Sequence, residues 1–101
     1  MPYLLQLDAN GAAVKQWPLQ ERPLLVGRAV QGDAQILDPR MSRRHFIITP
    51  VNEKYFIRDL ASTNGTFVNG RQIAKHELQP DDRIQAGETT FRFVRELPAR
   101  V

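Results

Sequence analysis

Cysteine is absent from this chain of 101 residues. A protein without cysteine has no disulfide framework, no thiolate metal site and no cysteine nucleophile. Long apolar stretches are also missing, since no run exceeds four residues, as from Leu24 to Gly27, whereas a membrane-spanning helix needs about 20. The chain opens without a basic segment followed by an apolar one, so we expect no secretory signal. These absences fit a cytoplasmic protein, and we expect no metal, no cofactor and no membrane contact.

The composition is that of an ordinary globular protein. Hydrophobic residues make up 42% of the chain and charged residues 25%, which excludes extensive disorder. A chain of this length buries roughly 65% of its unfolded surface, so we expect one domain over residues 1–101. The net charge is +3, and eleven of the fourteen basic residues are arginine. Arginine suits carboxylate and phosphate recognition, but a charge this small does not by itself indicate nucleic-acid binding.

Short strand patterns, separated by turn residues, run along the whole chain. No window of eleven residues has helical periodicity free of glycine and proline. Asn69-Gly70 is the strongest hairpin signal, because this pair supplies the two positive φ angles of a type I′ turn. About ten strands at this spacing predict an all-β antiparallel sandwich with functional loops at its ends. The candidate strands are residues 3–7, 14–17, 24–26, 34–37, 46–49, 55–58, 66–68, 71–73, 83–86 and 90–93.

Three predicted loops combine guanidinium groups, hydroxyl groups and glycine. They are Gly27-Arg28, the segment 40–45 with three arginines and Ser42, and the segment 62–66, which reads Ser-Thr-Asn-Gly-Thr. Guanidinium and hydroxyl groups with loop N–H donors form an anion receptor, in which each charge-assisted hydrogen bond contributes roughly 1.5–3 kcal/mol. Any one of these segments alone is more often an ordinary turn or a solvated loop.

Taken in order, the three segments resemble the forkhead-associated (FHA) domain, a phosphothreonine-binding module. The resemblance depends on Gly27-Arg28, on Ser42-Arg43-Arg44-His45, and on the nine residues 62–70, and it extends from about Leu24 to Val94. It implies an eleven-stranded β-sandwich with the ligand loops at one end. It also implies a non-catalytic function, in which the domain binds a phosphothreonine that a Ser/Thr kinase has placed on a partner protein.

The resemblance further implies roles for individual residues. Side chains at the positions of Arg28 and Ser42 bond phosphate oxygens, Thr63 supplies a second hydroxyl, and Arg43 follows the serine with its own N–H. Asn64 holds the backbone of the bound peptide just beyond the phosphothreonine. Arg40 is at a position that helps to select the residue three beyond the phosphothreonine. Four residues support the loops rather than touch the ligand: Gly27, His45, Gly65 and Asn69.

This sequence departs from the family in its late turn, residues 79–82. The family often has glycine before aspartate where this chain has Asp81-Asp82, which puts the backbone geometry of that turn in doubt.

Two other classes of function compete with this one, an enzyme and a nucleic-acid-binding protein. An enzyme is not expected, because no acidic partner accompanies Ser42 and His45 as a nucleophile and base. The alternative is a basic patch that binds nucleic acid; against it, Asp33 and Asp38 offset the arginines, and the eight aromatic residues occupy strand patterns rather than a stacking platform.

Overall fold

The computed structural model describes residues 1–31 and 33–97. In these residues the chain forms eleven strands and no helix, and accordingly no helix of the described part could cross a membrane. The strands are β1 (Tyr3–Leu7), β2 (Ala13–Pro18), β3 (Leu24–Gly27), β4 (Ala34–Gln35), β5 (Phe46–Val51), β6 (Lys54–Asp59), β7 (Thr66–Val68), β8 (Arg71–Ile73), β9 (Lys75–Glu77), β10 (Arg83–Ala86) and β11 (Thr89–Val94).

The strands form two sheets packed as a sandwich. One sheet has six strands in the order β2-β1-β11-β10-β7-β8, and the other has five in the order β4-β3-β5-β6-β9. Every described pairing is antiparallel except that of β3 with β4, which is parallel. The predicted all-β sandwich is therefore confirmed, and one parallel pair is added to it.

Alternating side chains of both sheets meet in one main core. Phe91 and Phe93 are fully buried, while Arg92 between them points outward and donates to Asp81, as the period of two requires. Phe46 of the opposite sheet packs edge-to-face on Phe91, with ring centroids 5.6 Å apart, an arrangement that the quadrupoles of the two rings favour. The core thus joins the sheets directly behind the strand ends that carry the loops.

The predicted hairpin at Asn69-Gly70 is confirmed by positive φ angles of 50° and 83°. A second turn of the same type joins β5 to β6, where Asn52 and Glu53 have φ angles of 50° and 67°. Glutamate is a poor residue for this backbone conformation, since its Cβ crowds the following carbonyl. The β5–β6 turn is therefore a site of local strain.

Strand β9 was not among the predicted strands, and β4 is shorter than predicted. Strand β9 reads Lys-His-Glu and pairs with β6 through its backbone, so it has no apolar alternation by which the sequence could reveal it. Residues 34–37 were predicted as a strand, but β4 ends at Gln35 because the N–H of Asp38 turns back to donate to the carbonyl of Ile36. Such a three-residue turn ends an extended strand.

The late turn at residues 79–82 forms although this chain lacks the glycine that the family often has there. Asp81, at the place where the family often has glycine, adopts a positive φ of 70°. The carboxylate of Asp82 accepts hydrogen bonds from the N–H of Gln79, the ring of His76 and the amide of Asn69. These contacts hold the turn in a glycine-like conformation without glycine.

The topology gathers several loops at one end of the sandwich, which we call the Arg28 end. Strand β3 runs toward this end, and β4 runs parallel to it. Strand β10 finishes there at Ala86, beside the first residue of β7, Thr66. The Arg28 end therefore contains the loops β3–β4, β4–β5 and β6–β7 and the β10–β11 turn.

Candidate functional site

Gly27, the last residue of β3, lets two loops of the Arg28 end approach each other closely. A Cβ atom at this position would lie 2.2 Å from the carbonyl oxygen of Arg43, far inside van der Waals contact. The N–H of Arg28 donates to the carbonyl of Ser42 (2.9 Å), and that of Ala29 donates to the carbonyl of Arg43 (3.1 Å). The β4–β5 loop is thus held against the end of β3 by backbone bonds that only glycine permits.

The Arg28 side chain is held beside the same loop. It is half-buried, and its Nε donates to the carbonyl of Met41 (3.0 Å). Guanidinium has five N–H donors, so this bond fixes the orientation of the group and leaves its two terminal nitrogens for an anion. An arginine held in this way loses less side-chain freedom on binding than a fully mobile one.

Ser42 joins the β4–β5 loop to the β6–β7 loop. Its hydroxyl oxygen accepts from the N–H of Thr63 (2.9 Å), which leaves the hydroxyl hydrogen for another acceptor. Ser42 is half-buried and Thr63 is exposed. The structure therefore brings these two residues and Arg28 to one end of the sandwich, although the three are far apart in the chain.

His45 lies beneath these loops and is fully buried. Its Nδ1 accepts from the N–H of Ser42 (3.0 Å), and its Nε2 donates to the carbonyl of Gly65 (2.8 Å). These two bonds require the neutral ring with hydrogen on Nε2. Both ring nitrogens bond the backbone, so His45 connects the two loops from below and offers no free nitrogen to a ligand or to the Ser42 hydroxyl.

Gly65 completes this connection. Its φ of 85° lies in the region that side chains resist, and its N–H donates to the hydroxyl of Ser62 (3.0 Å). A Cβ there would also come within 2.7 Å of the Gln72 side-chain amide. The turn that presents Thr63 and Asn64 therefore requires glycine at its end.

Asn64 and Arg40 form the side of the site nearest the β10–β11 turn. The amide nitrogen of Asn64 donates to the carbonyl of Arg40 (2.8 Å), which leaves the amide oxygen as an acceptor. The Nε of Arg40 lies 3.2 Å from a carboxylate oxygen of Glu88, and both side chains are about two-thirds exposed. The β10–β11 turn thus adds an acidic group to the edge of the arginine-rich surface.

Asp59, which the sequence analysis did not select, organises the β6–β7 loop. Its carboxylate accepts from the N–H and hydroxyl of Ser62 and from the hydroxyl of Thr66. Burial alone would raise the pKa of Asp59, but these hydrogen bonds outweigh it and hold the pKa below its usual value. The spacing of aspartate three residues before serine is the signal that could have identified this role.

Asp38 performs the same function for the β4–β5 loop. It is 6% exposed, and its carboxylate accepts from the N–H of Arg40, the N–H of Glu88 and the hydroxyl of Thr89. Burial would raise its pKa, but these three bonds lower it. Asp38, which was expected to offset the charge of the arginines, is therefore an ionised group, but a buried one whose oxygens are engaged by three donors.

Asn69 is the one predicted loop-support residue that lies away from the site. Its amide donates to Asp82 (2.9 Å) and accepts from the N–H of Arg83 (3.0 Å). Since β10 begins at Arg83 and ends at the Arg28 end, these contacts belong to the opposite end of the sandwich. Asn69 supports the late turn there and has no contact with the three candidate ligand loops.

The exposed surface of the Arg28 end has the chemistry of an anion receptor. Arg40, Arg43 and Arg44 are exposed around the half-buried Arg28, and the Ser42 hydroxyl lies against the N–H of Thr63 between the two loops that carry these residues. Anions of phosphate size accept several such hydrogen bonds at once. The framework behind this surface is held by buried groups, so the donors are positioned before any ligand arrives.

Comparisons with known proteins agree on one family. The model of the FHA domain matches residues 24–87. FhaA of Mycobacterium tuberculosis is 33% identical over 85 residues, which is 84% of this chain and 16% of FhaA. An FHA domain solved in a study of phosphothreonine-dependent interactions superposes with a TM-score of 0.84 at 27% identity, covering 96% of this chain and 98% of that one. EmbR of Mycobacterium tuberculosis, solved with a low-affinity phosphopeptide, gives a TM-score of 0.85 at 28% identity, covering 99% of this chain and 26% of EmbR.

This chain spans only part of the curated relatives that it matches. It covers 16% of the length of FhaA and 49% of the length of the mycobacterial FhaB. The similarity therefore concerns a module that these longer proteins contain.

Proposed function

The chain belongs to the FHA domain family, and from this premise we propose that it binds a phosphothreonine-containing segment of another protein. The observation that carries the proposal is the bond between Ser42 and Thr63, 2.9 Å long, beside the fixed guanidinium of Arg28. The resemblance assigns these residues to the phosphate-binding positions of the family, and EmbR was solved with a phosphopeptide.

The proposed phosphate contacts follow from the donors at the Arg28 end. The terminal nitrogens of Arg28 donate to two phosphate oxygens, and the Ser42 hydroxyl and the N–H of Arg43 donate to the remaining acceptors. The hydroxyl of Thr63 completes the set. A phosphorylated side chain has a charge of roughly −1.5 to −2 and strong acceptor oxygens, so removal of the phosphate removes every one of these contacts.

Peptide recognition beyond the phosphate is assigned to Asn64 and Arg40. The Asn64 amide oxygen accepts a backbone N–H of the bound peptide, because the amide nitrogen already donates to Arg40. The Arg40 guanidinium pairs with an acidic side chain three residues beyond the phosphothreonine, in place of Glu88. Both groups are exposed, so this exchange contributes on the order of 0.2–1 kcal/mol, which is a preference rather than a requirement.

We place the domain in a signalling pathway that a Ser/Thr kinase controls, acting in the cytoplasm without catalysis or a cofactor. In this proposal residues 1–101 make up one domain with a motif-bearing core at 24–94. Its support is that β1 and β2 join the sheet of β11 and that Leu4 and Leu19 enter the main core; the last four residues lie outside the described part.

The nucleic-acid alternative is not favoured. None of the eight aromatic side chains is exposed: Tyr3, Trp17, Phe46, Tyr55, Phe56, Phe67, Phe91 and Phe93 are all buried or half-buried. Single-stranded nucleic acid is usually bound by stacking on exposed rings. The affinity for nucleic acid would also fall steeply with salt: log K decreases against the logarithm of the salt concentration with a slope of about −0.7 to −0.9 per phosphate neutralised. Binding of one phosphothreonine gives a much shallower slope.

The proposal is tested by calorimetric titration with three versions of one peptide. A degenerate phosphothreonine library first identifies a bound sequence, which is then made with phosphothreonine, phosphoserine or plain threonine. We expect roughly micromolar affinity, about −8 kcal/mol, for the phosphothreonine form. The phosphoserine form lacks one methyl group and should bind more weakly, by about 0.8 kcal/mol if that methyl is fully buried. Equal binding of the phosphorylated and plain peptides would contradict the proposal.

A further inference from the structure

Leu37, in the loop between β4 and β5, is the most exposed of the large hydrophobic residues in the described chain. Its relative exposure is 85%, while its neighbours Ile36 and Asp38 are only 5% and 6% exposed. A single exposed leucine is common on protein surfaces. Because the residues on both sides of it are buried, the backbone cannot rotate to turn Leu37 inward.

The backbone around Leu37 is fixed on both sides. The N–H of Ile36 donates to the carbonyl of Gly27 (2.9 Å), and the N–H of Asp38 donates to the carbonyl of Ile36 (2.9 Å). The second bond closes a three-residue turn with Leu37 at its centre. Leu37 is therefore an apolar side chain on a rigid support, and a partner that covers it has little backbone freedom to remove.

Leu37 lines a groove of about 490 Å³ between the β4–β5 loop and strand β2. Val14 lines the same groove and is 54% exposed. Lys15, which is exposed beside it, is the one basic residue of the lining. The rest of the lining is mostly polar, and its one carboxylate, that of Asp38, is buried and already accepts three hydrogen bonds. The exposed aliphatic groups and the exposed cation therefore suit an aliphatic side chain that is accompanied by an acidic one.

This groove adjoins the proposed ligand surface. Asp38 and Thr89 belong to its lining, and Asp38 also accepts from the N–H of Arg40. Arg40 in turn pairs with Glu88, the residue before Thr89. The groove and Arg40 are therefore neighbours on the surface, so a peptide chain that passes Arg40 comes close to the groove.

We propose that this groove, formed by Leu37, Val14 and Lys15, binds a second segment of the same partner that carries the phosphothreonine. The occupant is an aliphatic residue, with an acidic neighbour, located more than three residues from the phosphothreonine. The inference rests on the proposed function, since continuity with the phosphothreonine surface identifies the occupant. The groove then selects among partners that share the same phosphorylated core.

The experiment uses phosphothreonine peptide libraries with degenerate positions extending eight residues to either side. We expect the wild-type chain to enrich leucine, isoleucine, valine or methionine at a distal position on one side. Leu37→Ser should abolish this enrichment and retain the preferences nearest the phosphothreonine. The matched control is Val51→Ser, because Val51 is 45% exposed but lies at the far end of β5, and it should retain both. Thermal unfolding verifies that each variant is folded.

A peptide with the enriched sequence is then used to measure how much the groove contributes to the affinity. It should bind Leu37→Ser about tenfold more weakly than wild type, the expected effect of losing one well-covered aliphatic contact, and Val14→Ser should act in the same direction. A peptide shortened to the phosphorylated core should bind wild type and both variants equally. The proposal is overturned if no distal aliphatic preference exists, or if Leu37→Ser leaves that preference unchanged.

Two further outcomes would contradict the proposal for other reasons. If sedimentation shows that the peptide-free chain forms dimers that Leu37→Ser dissociates, the groove binds a second copy of this chain and the proposal is wrong. If no library member binds in a phosphate-dependent manner, the proposed function fails and this inference fails with it. Phosphate-dependent binding without distal selection refutes only the groove.

Discussion

Removal of the His45 ring tests whether this residue supports the loops or contacts the ligand. The variant His45→Ala leaves the buried carbonyl of Gly65 and the N–H of Ser42 without their partners. Each unpaired group costs about 1–3 kcal/mol. With both groups unpaired, we therefore expect the free energy of unfolding to fall by about 2–6 kcal/mol. For a domain of this size each kcal/mol lowers the melting temperature by about 4–8 °C.

Two variants provide the comparison. His45→Gln can still donate to Gly65 from its amide nitrogen, so its melting temperature should lie between those of wild type and His45→Ala. His76→Ala removes a partly exposed ring from Asp82, which retains its bonds from Gln79 and Asn69. This control should cost only about 1 kcal/mol and leave phosphopeptide binding unchanged.

The assay combines thermal unfolding by circular dichroism with calorimetric titration well below each melting temperature. If the His45 ring supports the loops, His45→Ala should be much less stable than wild type, and its peptide binding should weaken as a consequence. If His45→Ala melts within a few degrees of wild type yet no longer binds the peptide, the ring contacts the ligand and the reasoning is refuted. The same conclusion would follow if His76→Ala were the more damaging change.

Four other predictions follow from the contacts described. Arg28→Ala and Ser42→Ala should abolish phosphopeptide binding and change stability by no more than about 1 kcal/mol, since exposed and half-exposed loop side chains contribute little to folding; unfolding of Arg28→Ala would contradict the assigned role. Arg40→Glu should shift the preference three residues beyond the phosphothreonine from Asp toward Lys or Arg, whereas a uniform loss for all peptides would leave Arg40 only a general electrostatic role. Glu53→Gly should raise stability by about 1 kcal/mol, because glycine removes the cost of the positive φ; a lower melting temperature would refute the strain. Acid should destabilise the fold through three hydrogen-bonded carboxylates whose pKa values are lowered: the buried Asp38 and Asp82 and the half-buried Asp59.

The sign of the acid effect follows from the direction of these shifts. A carboxyl group with a lowered pKa in the folded state favours folding at pH values above its unfolded pKa, about 3.9 for aspartate. That contribution is lost as the pH falls from there toward the folded pKa. Chemical denaturation at a series of pH values should show stability decreasing below about pH 4, and Asp82→Asn should flatten that decrease. A constant stability over this range would contradict the assignment.

The sequence predicted the parts of the fold that local chemistry specifies. Asn69-Gly70 predicts its hairpin because few other pairs adopt two positive φ angles, and the alternation around Phe91 and Phe93 predicts which side of β11 is buried. Strand β9 could not be predicted, since Lys-His-Glu has no apolar face and the strand exists only because β6 offers it a backbone partner.

Only some of the residues of the candidate site could be predicted from the sequence. Its exposed residues were predicted from the motif segments, because hydroxyl and guanidinium groups in loops are visible in the sequence. The carboxylates behind them were not predicted: a lone aspartate such as Asp38 has the same sequence signature whether it is solvated or holds a loop, and for Asp59 the spacing to Ser62 was the one local signal. Asn69 shows the converse limit: it belongs to the nine-residue motif, yet it supports the opposite end of the sandwich.

Binding of phosphothreonine at the Arg28 end can be located residue by residue from amide chemical shifts measured during a titration. The library-derived peptide is added to isotope-labelled protein in its phosphothreonine and plain threonine forms. Only the phosphorylated form should shift amides strongly, and the largest shifts should fall on Arg28, Ser42, Arg43, Thr63 and Asn64. Equal shifts from both forms, or phosphate-dependent shifts concentrated around Asn69 and the late turn at the other end, would contradict it.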